Sequence, residues 1–382
     1  GEDGLLQRGF QELDIVSSVS KITKYAVTIT DAADIRYEFE KAVYLAKEGR
    51  PGPVLIDLPM DMQWADIDPG QLRSFDPSDL NEKKPLLDIS AFSNALKNSN
   101  RPLVVCGGGV RHADAAEQLK SFLEKTGIPA ITTYAGMDVL PHDHQCNGGV
   151  MGQFGQFGAN FVTGEADLVL TLGARNSIKQ VGNTPNEYAP NAVKIAVNID
   201  NGELVDGRVP MDICINADIG AFLNQAALID YKSDDQWRSY VVELRLKHET
   251  PWLPAEENGF VDPYNFISQL SKCLDDDAIV IPDVGQNVIY TCQAIRLSGR
   301  QRLFSSWGNS PMGFSMPASI GAQVGNPGRQ VVCIIGDGGL QVNIQDLQTI
   351  KANNLPIKIF LFNNSCYATI HEFQDPNFDG RY

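Results

Sequence analysis

No apolar run in this sequence approaches the roughly 18 residues that a membrane-spanning helix needs. The opening residues Gly1-Glu2-Asp3-Gly4 carry neither the basic nor the apolar stretch of a secretory leader. Basic charge is scarce as well: 31 Lys and Arg stand against 47 Asp and Glu, for a net charge of −16. So acidic a balance repels phosphate backbones unless basic residues cluster. No such cluster is present, which argues against nucleic acid as a partner. Paired cysteines are also missing. The seven cysteines (Cys106, Cys146, Cys214, Cys273, Cys292, Cys333 and Cys366) are odd in number and contain no C-x-x-C. They are expected to be reduced thiols of a soluble, cytoplasmic protein. What is present is ordinary globular composition, 43% hydrophobic and 20% charged. At about 100–200 residues per domain, 382 residues predict two or three domains.

Alternating helical and apolar-strand patterns predict an α/β protein with parallel sheets covered by helices. Asp31 is a plausible N-cap for a helix through Ile35, Phe39, Ala42, Val43 and Ala46 that Gly49 stops. The buried-strand run Val54 to Leu58 follows and ends at Pro59. The stretch from Gly1 to Asp31 is expected to be too short for a parallel sheet, so the strands that receive this unit should lie upstream. Residues 1–70 are therefore read as the end of one domain, 71–90 as a linker rich in Asp, Pro and Ser, and 91–230 as a central domain. In the central domain strands are expected at 103–106, 128–133, 168–172 and 193–199, with one helix from His112 to Lys125. Residues 231–260 read as a connector and 261–382 as a final domain, with strands near 278–281, 331–335 and 357–361 and no closing strand or cap at its end. The first and last domains are thus expected to be incomplete.

The sharpest chemical signal is Gly336-Asp337-Gly338-Gly339 directly after the apolar run Val331 to Ile335, with Asn363-Asn364 at the end of the next predicted strand. That is one βαβ unit with an oxygen ligand at the carboxyl end of each strand, where open α/β sheets bind ligands. Mg²⁺ prefers oxygen ligands and shares them with substrate phosphates, and Gly338 and Gly339 let backbone N–H groups approach an anion. Taken alone, the Gly-Asp-Gly-Gly turn reads more readily as a turn with an Asp cap, since short glycine motifs are common. Asn364 at the matching strand end favours the metal.

The span from Gly336 to Asn364 resembles the metal and diphosphate signature of thiamine diphosphate (ThDP) enzymes. Essentially the whole chain resembles their acetohydroxyacid (acetolactate) synthase group. The resemblance implies Mg²⁺ ligation by Asp337 and Asn364 side chains and by the Cys366 carbonyl. Asp283-Val284-Gly285-Gln286-Asn287 is similar to a family segment whose residues touch the diphosphate, with Asn287 where the synthases carry His. By itself this segment is as readily a polar strand-to-helix turn. The stretch from Ser310 to Ala322 resembles the family turn in which Met312 would bend the cofactor into a V and Ser310 would offer its carbonyl to the cofactor's amino group. Arg8 to Glu12 and Gly49 to Pro59 resemble the end of the pyrimidine-binding domain, with Phe10, Gln11 and Lys24 approaching a substrate channel of a partner subunit. By the same resemblance residues 1–70 belong to the pyrimidine-binding domain and 261–382 to the diphosphate-binding domain. The family's catalytic Glu is expected upstream of Gly1.

In the synthases the central domain holds FAD. The matching residues are Gly107, Gly108, Gly109, Gly152, Gly173, Arg175 and Asp200, and a vestigial nucleotide fold is the alternative. Phe154 and Asn176-Ser177 depart from the family pattern. His142-Asp143-His144 and Asp275-Asp276-Asp277 read as polar loops. The resemblance implies decarboxylation of a 2-oxo acid, pyruvate, with transfer of the two-carbon unit to a carbonyl acceptor, in a homodimer or tetramer with active sites between subunits. Gln7 to Glu12, Leu58 to Asp61 and Phe373 to Asp375 are closer to the acetolactate synthase-like enzymes of sugar gene clusters, which points to a keto-sugar acceptor. A non-ligating decarboxylase, a flavin-linked oxidase and a cofactor-binding fragment without turnover remain the alternatives.

Overall fold

The structure, a computed structural model, describes residues 13–80, 86–249 and 260–381. The chain divides into two compact units, Gly1–Leu87 and Asp88–Tyr382. In the first, β1 (Tyr25–Thr28) and β2 (Val54–Asp57) pair in parallel, with Tyr25 opposite Val54 and Thr28 opposite Asp57. The helix Ile35–Lys47 connects them, entered through a short 3-10 turn, Ala32–Asp34, that Asp31 caps through the Ala33 N–H. A strand therefore does lie before Asp31, against expectation. The run Tyr-Ala-Val-Thr is β-prone but short and only half-buried, so it carries no periodicity signal.

The second unit contains two parallel sheets. One has six strands: β3 (Pro102–Cys106), β4 (Ala130–Thr132), β5 (Asn147–Val150), β6 (Leu168–Leu172), β7 (Val193–Asn198) and β8 (Ile213–Asn216), in the order β5-β4-β3-β6-β7-β8. Its central strands β3 and β6 are buried along their whole length, as expected of a sheet covered on both faces. Trp237, in the helix Asp235–Lys247, packs into this core and donates its indole N–H to the Pro102 carbonyl at 2.8 Å. The other sheet has four strands, β9 (Ile279–Pro282), β10 (Arg302–Leu303), β11 (Val331–Gly336) and β12 (Lys358–Phe362), in the order β10-β9-β11-β12.

Several expectations need correction. The helix expected from His112 to Lys125 is two helices, Gly108–His112 and Ala116–Thr126, because Asp114 adopts a left-handed conformation (φ 50°) between them. Strands β5, β8 and β10 were not anticipated: β5 contains two glycines and β10 is two residues long. The stretch read as a featureless linker contains a 3-10 turn, Pro77–Leu80. The end of the chain, expected to carry no closing strand or cap, forms a helix, Ala368–Phe378. All seven cysteines are free thiols. Among the described residues no helix is long and apolar enough to cross a membrane.

Candidate functional site

In the four-stranded sheet the chain runs from β9 to the edge strand β10, then crosses to β11 on the other side of β9 and continues outward to β12. The direction of winding reverses between β9 and β11, and open sheets bind ligands in the crevice beyond the strand ends at such a reversal. A cavity of about 920 Å³ opens there. In the register, Gly336 of β11 faces Phe362 of β12, so Asp337 and Asn363-Asn364 leave neighbouring strands at the same level. Ile334 faces Pro282, so on the third strand Asp283 stands opposite Ile335 and Gly285 comes level with Asp337.

Asp337 is the first residue of the helix Asp337–Val342, and its Oδ1 accepts the Gly338 N–H at 2.9 Å. Across from it, Asn364 Oδ1 accepts the Cys366 N–H at 3.2 Å and Asn363 Oδ1 accepts the Ser365 N–H at 3.1 Å. These bonds tie a tight turn in which Ser365 sits at φ 56°. Asp337, Asn364 and Cys366 all line the cavity. A carboxylate, an amide oxygen and a backbone carbonyl are the hard donors that Mg²⁺ takes, so this donor set fits the metal.

Gly285, Gln286 and Asn287 line the same cavity from the start of the helix Gln286–Ala294, with Gly285 at φ 104°. Asn287 is buried. Its Nδ2 donates to the Val284 carbonyl at 3.3 Å, while its Oδ1 is buried with no partner. Leaving a buried acceptor unsatisfied costs about 1–3 kcal/mol. A metal ion or a donor group would satisfy this acceptor and a diphosphate oxygen would not, so toward a diphosphate Asn287 has only its Nδ2 to offer. Gln286 is more committed: its Nε2 donates to Glu372 Oε1 at 2.6 Å and its Oε1 accepts from Tyr290 at 3.1 Å. Ser310 and Met312 also line the cavity, with Ser310 held at φ 47° and Met312 40% exposed. Strained non-glycine residues of this kind occur at functional sites; Ser310 lines the cavity, and Ser365 lies in the turn between two residues that do.

Gly338 and Gly339 are required by packing. A Cβ on Gly339 would lie 2.2 Å from Asp283 Oδ2, and one on Gly338 would lie 2.2 Å from the Tyr367 ring. Asp283 is fully buried and cannot easily move, whereas Tyr367 is 53% exposed and can swing away. Burial pushes the Asp283 carboxyl up, opposed by backbone N–H donors from Gly313, Ser315, Val284 and Phe314. Gly339→Ala is expected to destabilise the protein by about 1–3 kcal/mol through overpacking, and Gly338→Ala by no more than about 0.5 kcal/mol. Urea unfolding of both variants checks the order; equal losses would mean that Asp283 is free to yield.

The residues matched to FAD lie elsewhere, beyond the strands of the six-stranded sheet. Its winding reverses between β3 and β6, and Gly107 to Gly109 and Gly173 to Arg175 follow those two strands. The glycines pack on one another. A Cβ on Gly107 would meet the Gly173 carbonyl oxygen at 2.2 Å, and Gly109 donates its N–H to that oxygen at 2.9 Å. Gly108 abuts Ala135, and Gly152 is pressed on the Tyr134 hydroxyl. Arg175 pairs with Glu203 at 2.8 Å, and Asp200 caps the helix Asn201–Val205 through the Gly202 N–H. Protein packing thus accounts for these glycines without a ligand. Near them the buried Oδ1 of Asn176 has no partner, nor do the hydroxyls of Thr133 and Thr171.

Lys24 belongs to the first unit, where its ammonium binds the carbonyls of Glu48 and Arg50 just past the helix Ile35–Lys47. Phe10 and Gln11 lie outside the described residues. His142 pairs with Glu249 at 2.8 Å and His144 with Glu124 at 3.5 Å. Among the described residues no group of three His, Cys, Asp or Glu could hold a metal. Sequence reasoning quoted Asp283 but gave it no role, and it missed Asn343, Tyr367 and Glu372. A lone Asp ending an apolar strand before Gly-Gln was the available signal for the first of these.

Residues 89–226 match the family model described as "Thiamine pyrophosphate enzyme, central domain", and 283–382 match "Thiamine pyrophosphate enzyme, C-terminal TPP binding domain". The chain is 34% identical over 373 residues to the acetolactate synthase isozyme 1 large subunit of Escherichia coli K12, covering 96% of this chain and 64% of that protein. It is 32% identical over 389 residues to the acetolactate synthase large subunit of Lactococcus lactis IL1403, covering 100% and 67%. A probable acetolactate synthase large subunit of Methanocaldococcus jannaschii is 32% identical, with 96% and 64% covered. The chain thus spans about two thirds of the length of these relatives.

Proposed function

Because the chain belongs to the thiamine pyrophosphate enzyme family, in its acetolactate synthase-like group, we propose that its cavity binds thiamine diphosphate with Mg²⁺. We propose further that the protein to which the chain belongs decarboxylates pyruvate and joins the two-carbon unit to a carbonyl acceptor. One observation carries this reading. Asp337 and Asn364 leave adjacent parallel strands at one level and line a single cavity with Cys366, so that three oxygen donors of the kind Mg²⁺ takes converge there.

When bound, the cofactor supplies a carbon nucleophile and an electron sink for loss of CO₂ from a 2-oxo acid. The protein's part is binding, orientation and exclusion of water. Asp337, Asn364 and the Cys366 carbonyl hold the metal. Gly285, Gln286, Asn287, Gly338 and Gly339 face the diphosphate, with Gln286 exchanging its bond to Glu372 for the ligand. Met312 supports the cofactor from below, and the Ser310 carbonyl orients its amino group. The half-buried rings of Phe360 and Phe362 would limit water in the cavity once a cofactor fills it.

Exposed Val342, Ile344 and Phe373, outside the cavity lining, support assembly as a homodimer or tetramer. The domain reading follows the same family: residues 1–70 pyrimidine-binding, 91–230 central and 261–382 diphosphate-binding. Flavin at the six-stranded sheet is a second, separate reading, favoured by the Asn176 Oδ1 atom; visible flavin absorbance in the purified protein tests it.

The activity test incubates the protein with ThDP, Mg²⁺ and pyruvate, and offers a second 2-oxo acid, an aldehyde and a nucleotide-bound keto-sugar as acceptors. Release of CO₂ with a ligated product is expected. Exclusive 2-acetolactate would remove the keto-sugar version, and aldehyde or acetate as sole product would replace ligation by decarboxylation or oxidation. Failure to bind ThDP under any metal condition would overturn the reading.

A further inference from the structure

The loop carrying Ser310 and Met312 lies between β10 and the helix Ser315–Gly325, and Gly313, near its end, is gripped from two sides. From the end of β9, the wholly buried Asp283 takes the Gly313 N–H on Oδ2 at 2.9 Å and the Ser315 N–H on Oδ1 at 3.4 Å. From the end of the helix Asp337–Val342, Asn343 Nδ2 donates to the Gly313 carbonyl at 2.8 Å. Gly313 sits at φ 81°, and a Cβ there would meet Asn343 Nδ2 at 2.8 Å and the Gly339 carbonyl oxygen at 3.0 Å. Both peptide groups of one residue are therefore fixed, one to the end of β9 and the other to the end of the helix that starts at Asp337.

A buried carboxylate is an expensive way to fill space, since its oxygens must be satisfied by hydrogen bonds or a partner charge. Here the donors are backbone N–H groups of the very loop that lines the cavity. The Asp283 carboxylate also occupies the gap left by the missing side chain of Gly339, two residues from Asp337. An apolar side chain would pack there without fixing the loop.

We infer that Asp283 and Asn343 are positioning residues that strut the Ser310–Met312 loop against the Asp337 turn, so that the two ends of the bound cofactor meet supports at a fixed separation. This rests on the ThDP reading of the cavity. The strut exists before any ligand arrives, because every bond in it is between protein groups. Asp283→Asn retains one acceptor oxygen and retains part of the grip; Asp283→Ala retains none. Asn343→Ala releases the carbonyl side and touches neither the metal donors nor Met312.

The test measures three quantities on the full chain and on Asn343→Ala, Asp283→Asn and Asp283→Ala: amide hydrogen exchange at 312–315 without cofactor, ThDP affinity by calorimetry at saturating Mg²⁺, and the thermal midpoint. Asn343→Ala is expected to speed exchange at 312–315 by at least about tenfold and to weaken ThDP binding by about tenfold. Its thermal midpoint should fall by no more than about 3 °C. Asp283→Asn should fall between wild type and Asp283→Ala in affinity, a graded rescue that simple loss of fold would not produce. If Asp283→Ala does not fold, Asn343→Ala and Asp283→Asn carry the test. Unchanged exchange in Asn343→Ala overturns the strut. Faster exchange with ThDP affinity within about twofold of wild type overturns the positioning role. A wild-type chain that binds no ThDP overturns the underlying reading and the inference with it, whereas wild type and variants binding alike overturns the inference alone.

Discussion

Asp337→Ala is expected to abolish Mg²⁺-supported retention of ThDP, raising its dissociation constant by at least about 100-fold, while leaving the protein folded. The size of the effect follows from the donor set. Asp337 is the one carboxylate among the three proposed ligands, and a divalent cation that shares its shell with a diphosphate needs a fixed negative charge to offset its own dehydration. Loss even of outer-shell partners typically costs 10–100-fold in metal affinity, so loss of a charged ligand should exceed that. The structural cost is small by comparison. Asp337 contributes a hydrogen bond to the Gly338 N–H and a favourable charge in the first turn of its helix, together about 1 kcal/mol. Asp337→Asn keeps an oxygen and loses the charge, so it should bind between the two. Calorimetric titration with ThDP at several Mg²⁺ concentrations, beside circular dichroism, checks the prediction. An Asp337→Ala protein that binds ThDP with unchanged metal dependence would move the metal to other residues.

The site was legible in sequence wherever its parts are local. The apolar run of β11 ends at Gly336, that of β12 at Asn363, and each donor follows its strand directly, so reading two strands was enough to bring Asp337 and Asn364 together. The grip on Gly313 was not legible. Asp283, Gly313 and Asn343 are each separated by 30 positions, and only the packing of the strand ends and the following helix shows that they meet. Strand β5 escaped for a related reason: Asn-Gly-Gly-Val has almost no strand propensity and exists as a strand because β4 lies beside it. Lys24, which the resemblance sets near a partner subunit's substrate channel, has its ammonium bound to the chain's own carbonyls of Glu48 and Arg50 in the first unit, a contact that no local pattern announces.

Asp138→Ala is expected to destabilise the second unit by about 3–5 kcal/mol, the cost of stranding buried charge. Asp138 lies in the 3-10 turn Tyr134–Val139 of the six-stranded half and is almost wholly buried. Its Oδ2 accepts from Arg302 Nε at 2.7 Å and from the Leu303 N–H at 3.2 Å, and its Oδ1 faces Arg111 Nε at 3.4 Å. Arg111 also donates to the Asp138 carbonyl. One carboxylate therefore holds both residues of β10, a strand with only two register positions on β9. Without it the Leu303 N–H is left unsatisfied, at a cost of about 1–3 kcal/mol, and two guanidinium groups face each other across the vacated space. The Arg302 side chain is 39% exposed and recovers some hydration, which places the expected loss toward the lower end of the range. Asp138→Asn keeps an acceptor for Leu303 and should lose less than Asp138→Ala. Because the carboxylate is shielded from solvent, added salt should change the difference little. Global stabilities of about 5–15 kcal/mol are usual, so the Ala variant should show a clearly lowered urea midpoint, with exchange at Leu303 rising before exchange in β3 and β6. A loss below about 1 kcal/mol, or loss of protection in β3 and β6 together with β10, would show that Asp138 is not what holds β10 to the six-stranded half.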